Sequence, residues 1–133
     1  MTRREVFLGA SMLALAPMTA RAADMLTYSP GLPQERLAAG ETVLLDVFAP
    51  WCGTCRAQSR AMEDLRGANP AYDAAITFIR MDWDTHGRSD YARSLGVQRR
   101  STLILMRGDE ILGTVVADTR RDSIQALMNL ALV

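Results

Sequence analysis

Two cysteines, Cys52 and Cys55, are the only ones in the chain, and they stand two residues apart in Trp51-Cys52-Gly53-Thr54-Cys55. The apolar run Val43-Leu44-Leu45-Asp46-Val47-Phe48-Ala49 comes directly before them. A C-x-x-C where a buried strand gives way to a helix is a redox arrangement. The first turn of the helix offers unpaired N–H groups and the positive end of the macrodipole. Both favour thiolate over thiol and make the first cysteine a nucleophile near neutral pH. The second, one turn on, is placed to close a disulfide with it. A purely structural bridge is the weaker reading, because so small a loop gains little from closure.

The elements that must position this pair follow from breakers and periodicity. Met25 to Tyr28 fits a short edge strand, and Pro33 to Ala39 a brief helix ended by Gly40. Thr42 to Ala49, apolar except for Asp46, fits a central strand covered on both faces. Cys52 to about Arg66 has helical periodicity, with Met62 and Leu65 inward and Gly67, Asn69 and Pro70 ending it. Ala75 to Asp82 is a second strand, and Ser89 to Leu95 a short helix closed by Gly96. Thr102 to Met106 and Ile111 to Val116 flank Arg107-Gly108-Asp109-Glu110, a hairpin signal. Thr119-Arg120-Arg121-Asp122 has the form of a capping box before a helix with Ile124, Leu127, Met128 and Ala131 on one stripe. A helix between the two central strands makes them parallel. The result is a small mixed sheet with helices on both faces.

Length and composition set the outer bounds. The 133 residues suffice for one domain, and 49% apolar content supports a proper core. All fifteen basic residues are arginine, and acidic residues interleave with them, so nucleic-acid binding is not expected. Residues 1–22 have the pattern of an export signal: the basic Thr2-Arg3-Arg4, a mostly apolar stretch from Val6 to Met18, and the small-x-small site Ala20-Arg21-Ala22. The apolar stretch is short for a membrane span, so a stable anchor is not expected. Arg3-Arg4 followed by Glu5 and two apolar residues is similar to a twin-arginine signal; an ordinary secretory signal is the alternative. Cleavage after Ala22 leaves a domain of residues 23–133 with 12 basic and 14 acidic side chains. Export would place the cysteines in an oxidising compartment, the bacterial periplasm.

Taken together, the strand Val43 to Phe48 with its internal Asp46, the Trp51-Cys52-Gly53-Thr54-Cys55 motif, the strand Ile76 to Asp82 and the C-terminal hairpin and helix resemble the thioredoxin family. The resemblance implies a three-layer α/β/α fold with a mixed four- or five-stranded sheet. It implies thiol–disulfide exchange without a cofactor. Cys52 attacks a partner disulfide, and Cys55 resolves the mixed disulfide. The partners would be protein thiols or disulfides in the exported compartment, with an unidentified redox partner restoring the pair. Asp46 matches the family's buried carboxylate, which accepts the proton of Cys55, and Arg80 matches its basic partner. Trp51 matches the aromatic that shields the site and touches the partner. Trp83, just after the second strand, either widens that contact surface or belongs to the core. His86, the only histidine, falls in the same loop and is expected to be solvated.

One position departs from the pattern. Where the family has a cis-proline, this chain has Ser101, within Arg100-Ser101-Thr102. A non-proline cis bond costs about 2.5–4 kcal/mol, so the Arg100–Ser101 bond is expected to be trans, or cis under strain. The family holds its partner on this segment, which makes Arg100, Ser101 and Thr102 candidate substrate-binding residues. A guanidinium at Arg100 facing the site would stabilise the Cys52 thiolate and make the protein more oxidising; the other reading points Arg99 and Arg100 to solvent. Two other functions compete. The thiolates could take Cu(I) in a metal-delivery module, although two cysteines and one histidine cannot complete a zinc site within one chain. A thioredoxin-like adaptor could bind partners without turnover. Covalent haem is not expected, because Arg56 follows Cys55 where histidine is required.

Overall fold

A computed structural model of the chain describes residues 24–133; the expected export signal over residues 1–22 lies outside them. The described elements are β1 (Leu26–Thr27), α1 (Leu32–Ala38), β2 (Thr42–Phe48), α2 (Gly53–Ala68), α3 (Ala71–Ala75), β3 (Ile76–Asp82), α4 (Trp83–His86), α5 (Asp90–Ser94), β4 (Thr102–Arg107), β5 (Glu110–Val116) and α6 (Arg121–Asn129), with a final 3₁₀ turn at Leu130–Leu132.

The five strands form one mixed sheet in the order β1-β3-β2-β4-β5. β3 runs parallel to both β1 and β2, whereas β4 is antiparallel to β2 and β5. β2 is central, which explains its nearly unbroken apolar sequence: neighbours on both edges satisfy its backbone, and helices cover both faces. Alternation along the strands splits the core in two. Leu44, Phe78, Leu103 and Leu105 pack against Met62 and Leu65 of α2 and Ile124, Leu127 and Met128 of α6. Val43, Leu45, Val47, Ile79, Met81 and Ile104 pack on the opposite face against Leu37 of α1 and Ala92 of α5. Asp46 shares the parity of Leu44, so its carboxylate is on the α2 side of the sheet.

Local details differ from the sequence expectations. α2 runs through Gly67 and stops only at Asn69, because Leu65, Arg66 and the neighbouring α3 hold its last turn in the core. The segment after β3 is helical: the Asp82 carboxylate accepts from the Asp84 N–H and caps α4. The capping box at Thr119 does not form. Asp118 instead accepts from the Arg120 N–H and pairs with its guanidinium. These contacts, with Ser123, hold the Asp118 carboxyl well below the usual carboxylate range. No helix among the described residues is long and apolar enough to cross a membrane.

Candidate active site

Cys52 is the N-cap of α2, with extended backbone angles, and its Sγ accepts the Cys55 N–H at 3.1 Å. A sulfur here replaces the usual oxygen cap and receives one of the unpaired N–H groups of the first turn. Cys52 and Cys55 are joined as a disulfide, with their Cα atoms 5.3 Å apart. Both are buried, packed with Ala49, Phe48 and Trp83. Trp83 therefore belongs to the site's apolar wall and is half-buried. Its indole also packs on Gly87, where a Cβ would fall 2.1 Å from a ring carbon.

Trp51 forms the exposed rim, with 58% of its surface accessible. Its Nε1–H donates to Asp84 Oδ2 at 2.8 Å, and the Arg100 guanidinium lies 4.4 Å above its ring. Arg56 donates to the Pro50 carbonyl and ties the preceding turn to α2. Arg100 turns to the rim of the site and not to open solvent. It is half-buried against Trp51 and makes no hydrogen bond to either sulfur.

Asp46 is opposite Arg80 in the β2–β3 register. Its carboxylate is 1% exposed, has no hydrogen bond, and lies 3.6 Å from Arg80 Nε. Burial pushes its pKa up to about 7, with Arg80 opposing the rise. Arg80 also covers the Phe48 ring at 3.8 Å. A carboxyl poised near neutrality can give or take a proton in the site without leaving its range.

The Arg100–Ser101 bond is trans, and among the described residues there is no cis peptide. Ser101 is instead in the left-handed region with φ +60°, uncommon outside glycine. It is fully buried. Its N–H donates to Val47 O at 2.8 Å, and its carbonyl accepts from Ala117 N–H at 2.8 Å and Gln58 Nε2 at 3.1 Å. Its Oγ lies 3.2 Å from Cys52 Sγ and 3.0 Å from Cys55 Sγ. Thr102 is also buried, and its hydroxyl donates to the Arg99 carbonyl. The side chains of Ser101 and Thr102 thus face inward, and of the three candidate substrate-binding residues on this segment only Arg100 reaches the rim.

The structure brings Cys52, Cys55, Trp51, Trp83, Arg100 and Ser101 together around one end of β2. His86 sits apart, edge-on to Tyr28 at 4.8 Å. Sequence reasoning missed Gln58, whose Nε2 donates to the carbonyls of Ser101 and Asp118. Its signal was a polar side chain three residues after Cys55 on the inward stripe of α2. Asp84 was missed too, because the turn after β3 has no periodicity that points it at Trp51.

Residues 33–130 match the family model described as Thioredoxin. The chain is 28% identical over 87 residues to thioredoxin of Bacillus subtilis, covering 65% of this chain and 79% of that one. It is 25% identical over 96 residues to thioredoxin of Pyropia yezoensis, covering 72% and 85%. Among solved structures, Trxlp from Edwardsiella tarda superposes with a TM-score of 0.68 at 26% identity, covering 79% of this chain and 98% of that one. The match runs from α1 to α6 and includes the cysteine pair at the head of α2, so the chain belongs to the thioredoxin family, whose members are thiol–disulfide oxidoreductases.

Proposed function

We propose that this protein is an exported thiol–disulfide oxidoreductase that exchanges disulfides with protein thiols of the bacterial periplasm. The observation that carries the redox part is the closed Cys52–Cys55 pair with the Cys55 N–H directed at Cys52 Sγ. The signal-like pattern of residues 1–22 supports the exported part.

From the disulfide state, a partner thiolate attacks Cys52 Sγ. The Cys52–Cys55 bond breaks, and its electron pair leaves with Cys55 as thiolate. The Cys55 thiolate takes up a proton, and Asp46, titrating near pH 7, is the acid on the inner side of the site. The partner's second thiolate then attacks the partner sulfur bonded to Cys52. The partner is released oxidised and Cys52 is left as thiolate. The opposite direction uses the same atoms in reverse, beginning with the Cys52 thiolate.

The test is covalent trapping. A full-length Cys55→Ser variant expressed in a bacterial host should accumulate mixed disulfides with periplasmic proteins, dissolved by reductant. Cys52→Ser should form none. Absence of adducts in Cys55→Ser removes the enzymatic reading, and adducts confined to cytoplasmic proteins remove the exported one.

A further inference from the structure

Among the described residues, Ser101 is the only side chain within hydrogen-bonding distance of both sulfurs. Its hydroxyl has no access to bulk solvent, since the residue is fully buried. The backbone is held in the left-handed region by three hydrogen bonds, from its own N–H to Val47 and to its carbonyl from Ala117 and Gln58. Gln58 is itself fully buried and is anchored a second time on the Asp118 carbonyl. The Ser101 backbone is thus fixed at a rarely populated φ, and its Oγ stands against both sulfurs.

A serine hydroxyl carries one proton and rotates freely about its C–O bond. A disulfide sulfur is a weak acceptor, whereas a thiolate is a strong one. The proton therefore turns to whichever sulfur carries charge. We propose that Ser101 is a catalytic residue whose hydroxyl donates in turn to each thiolate formed during exchange, and that Gln58 positions it. The inference rests on the oxidoreductase reading above and adds the group that stabilises its two charged intermediates.

When a partner thiolate attacks Cys52 Sγ and the electron pair departs to Cys55, the O–H donates across the 3.0 Å contact. Once Cys55 has been protonated and the partner has left, the charge is on Cys52. The O–H then rotates to the 3.2 Å contact, and the Cys55 S–H donates to the freed oxygen lone pair. No atom leaves Ser101, and no co-reactant is needed. Because the Cys52 thiolate of the reduced protein is favoured over the disulfide, the hydroxyl makes the protein more oxidising than the same chain without it; the contact to the transient Cys55 thiolate speeds exchange without changing the potential.

The experiment titrates Cys52 in the reduced full-length protein, by iodoacetamide alkylation rate against pH, in wild type, Ser101→Ala and Ser101→Gly. Alanine removes the hydroxyl and keeps the backbone constraint; glycine removes the hydroxyl and relieves it. Asp46 on β2, Arg80 on β3, Arg56 on α2, Asp84 on α4 and Arg100 are the charged groups around the site, and all remain in place. Both variants should raise the Cys52 pKa by about one unit, a tenfold loss of thiolate below the pKa. Both should shift the equilibrium with glutathione about tenfold toward the disulfide, about 30 mV more negative. No shift in either variant overturns the proposal. So does a shift in alanine that glycine does not share, since that marks a backbone effect. The titration needs no protein partner, so its outcome is separate from that of the Cys55→Ser trap.

Discussion

Asp46 and Arg80 occupy partner positions in the β2–β3 register, yet the carboxylate and Arg80 Nε are 3.6 Å apart and make no hydrogen bond. The acid is buried and its cation is 39% exposed, so burial outweighs the attraction and the Asp46 pKa rises to about 7. Between about pH 4 and pH 7 the folded state holds a proton that the unfolded chain has already lost. Stability therefore falls as pH rises through this range. Asp46→Asn should flatten that slope and gain on the order of 2 kcal/mol at pH 8, while changing little at pH 4. Urea unfolding of wild type and variant at the two pH values measures it; an equal effect at both contradicts the raised pKa.

The same titration should appear in turnover. If Asp46 exchanges the Cys55 proton, the pH–rate profile of insulin reduction should carry a limb near pH 7. Asp46→Asn should lose that limb and slow exchange on the order of tenfold. A profile of unchanged shape in the variant assigns the acid a structural role only.

Arg100 lies over Trp51, and the donor at the sulfurs is the Ser101 hydroxyl. Arg100→Ala should leave the Cys52 pKa within a few tenths of a unit, less than the change expected for Ser101→Ala. It should loosen the Trp51 ring, at a cost of about 0.5–1 kcal/mol in stability. For a protein substrate KM should rise with kcat nearly constant, because the rim is a docking surface. A large fall in Cys52 acidity in Arg100→Ala would return the guanidinium to the thiolate.

The sheet and the cysteine pair were legible because their signals are local. Val43 to Phe48 is apolar apart from Asp46, as a strand covered on both faces is, and a C-x-x-C after it places the pair at a helix start. Asp46 was legible for the opposite reason, as a charge where burial is costly. The contacts of Ser101 were not. The sequence marks a missing proline, but the left-handed φ and the two sulfur contacts arise only when α2, β2 and the turn after β5 converge on one residue. Arg100 was ambiguous because a long side chain on a turn chooses its partner by tertiary packing, and Trp51 offered a face. Thr119 failed as a cap because Asp118, one residue earlier, accepts the Arg120 N–H and ion-pairs with Arg120 at once.

Gly87 ends α4 beneath Trp83, and a Cβ there would stand 2.1 Å from the indole and 2.6 Å from the Trp83 carbonyl. The carbonyl cannot yield without unwinding the turn, so the indole must move as well. Gly87→Ala should cost about 1–3 kcal/mol. It should also shift tryptophan fluorescence, because Trp83 lines the disulfide. Thermal unfolding followed by fluorescence reads both. A neutral substitution would show that α4 rearranges freely and that Trp83 is not fixed against the site.

Gln58 ties α2 to two segments that the β4–β5 pairing already brings together, the Ser101 turn before β4 and Asp118 after β5, both through Nε2. Its Oε1 is buried without a partner, a cost the two donated bonds must offset. Gln58→Leu keeps the volume and removes both bonds, leaving the Ser101 carbonyl with Ala117 alone. A loss of about 1–2 kcal/mol is expected from the two bonds. Stability alone would not separate a strut from a positioning residue, so the decisive reading is the acidity of Cys52. If Gln58 holds Ser101 Oγ on the sulfurs, Gln58→Leu should raise the Cys52 pKa in the direction of Ser101→Ala. The double variant should then show no further rise, because the hydroxyl whose placement Gln58 controls is already gone. Additive shifts in the double variant would mean that Gln58 reaches the cysteine by another route.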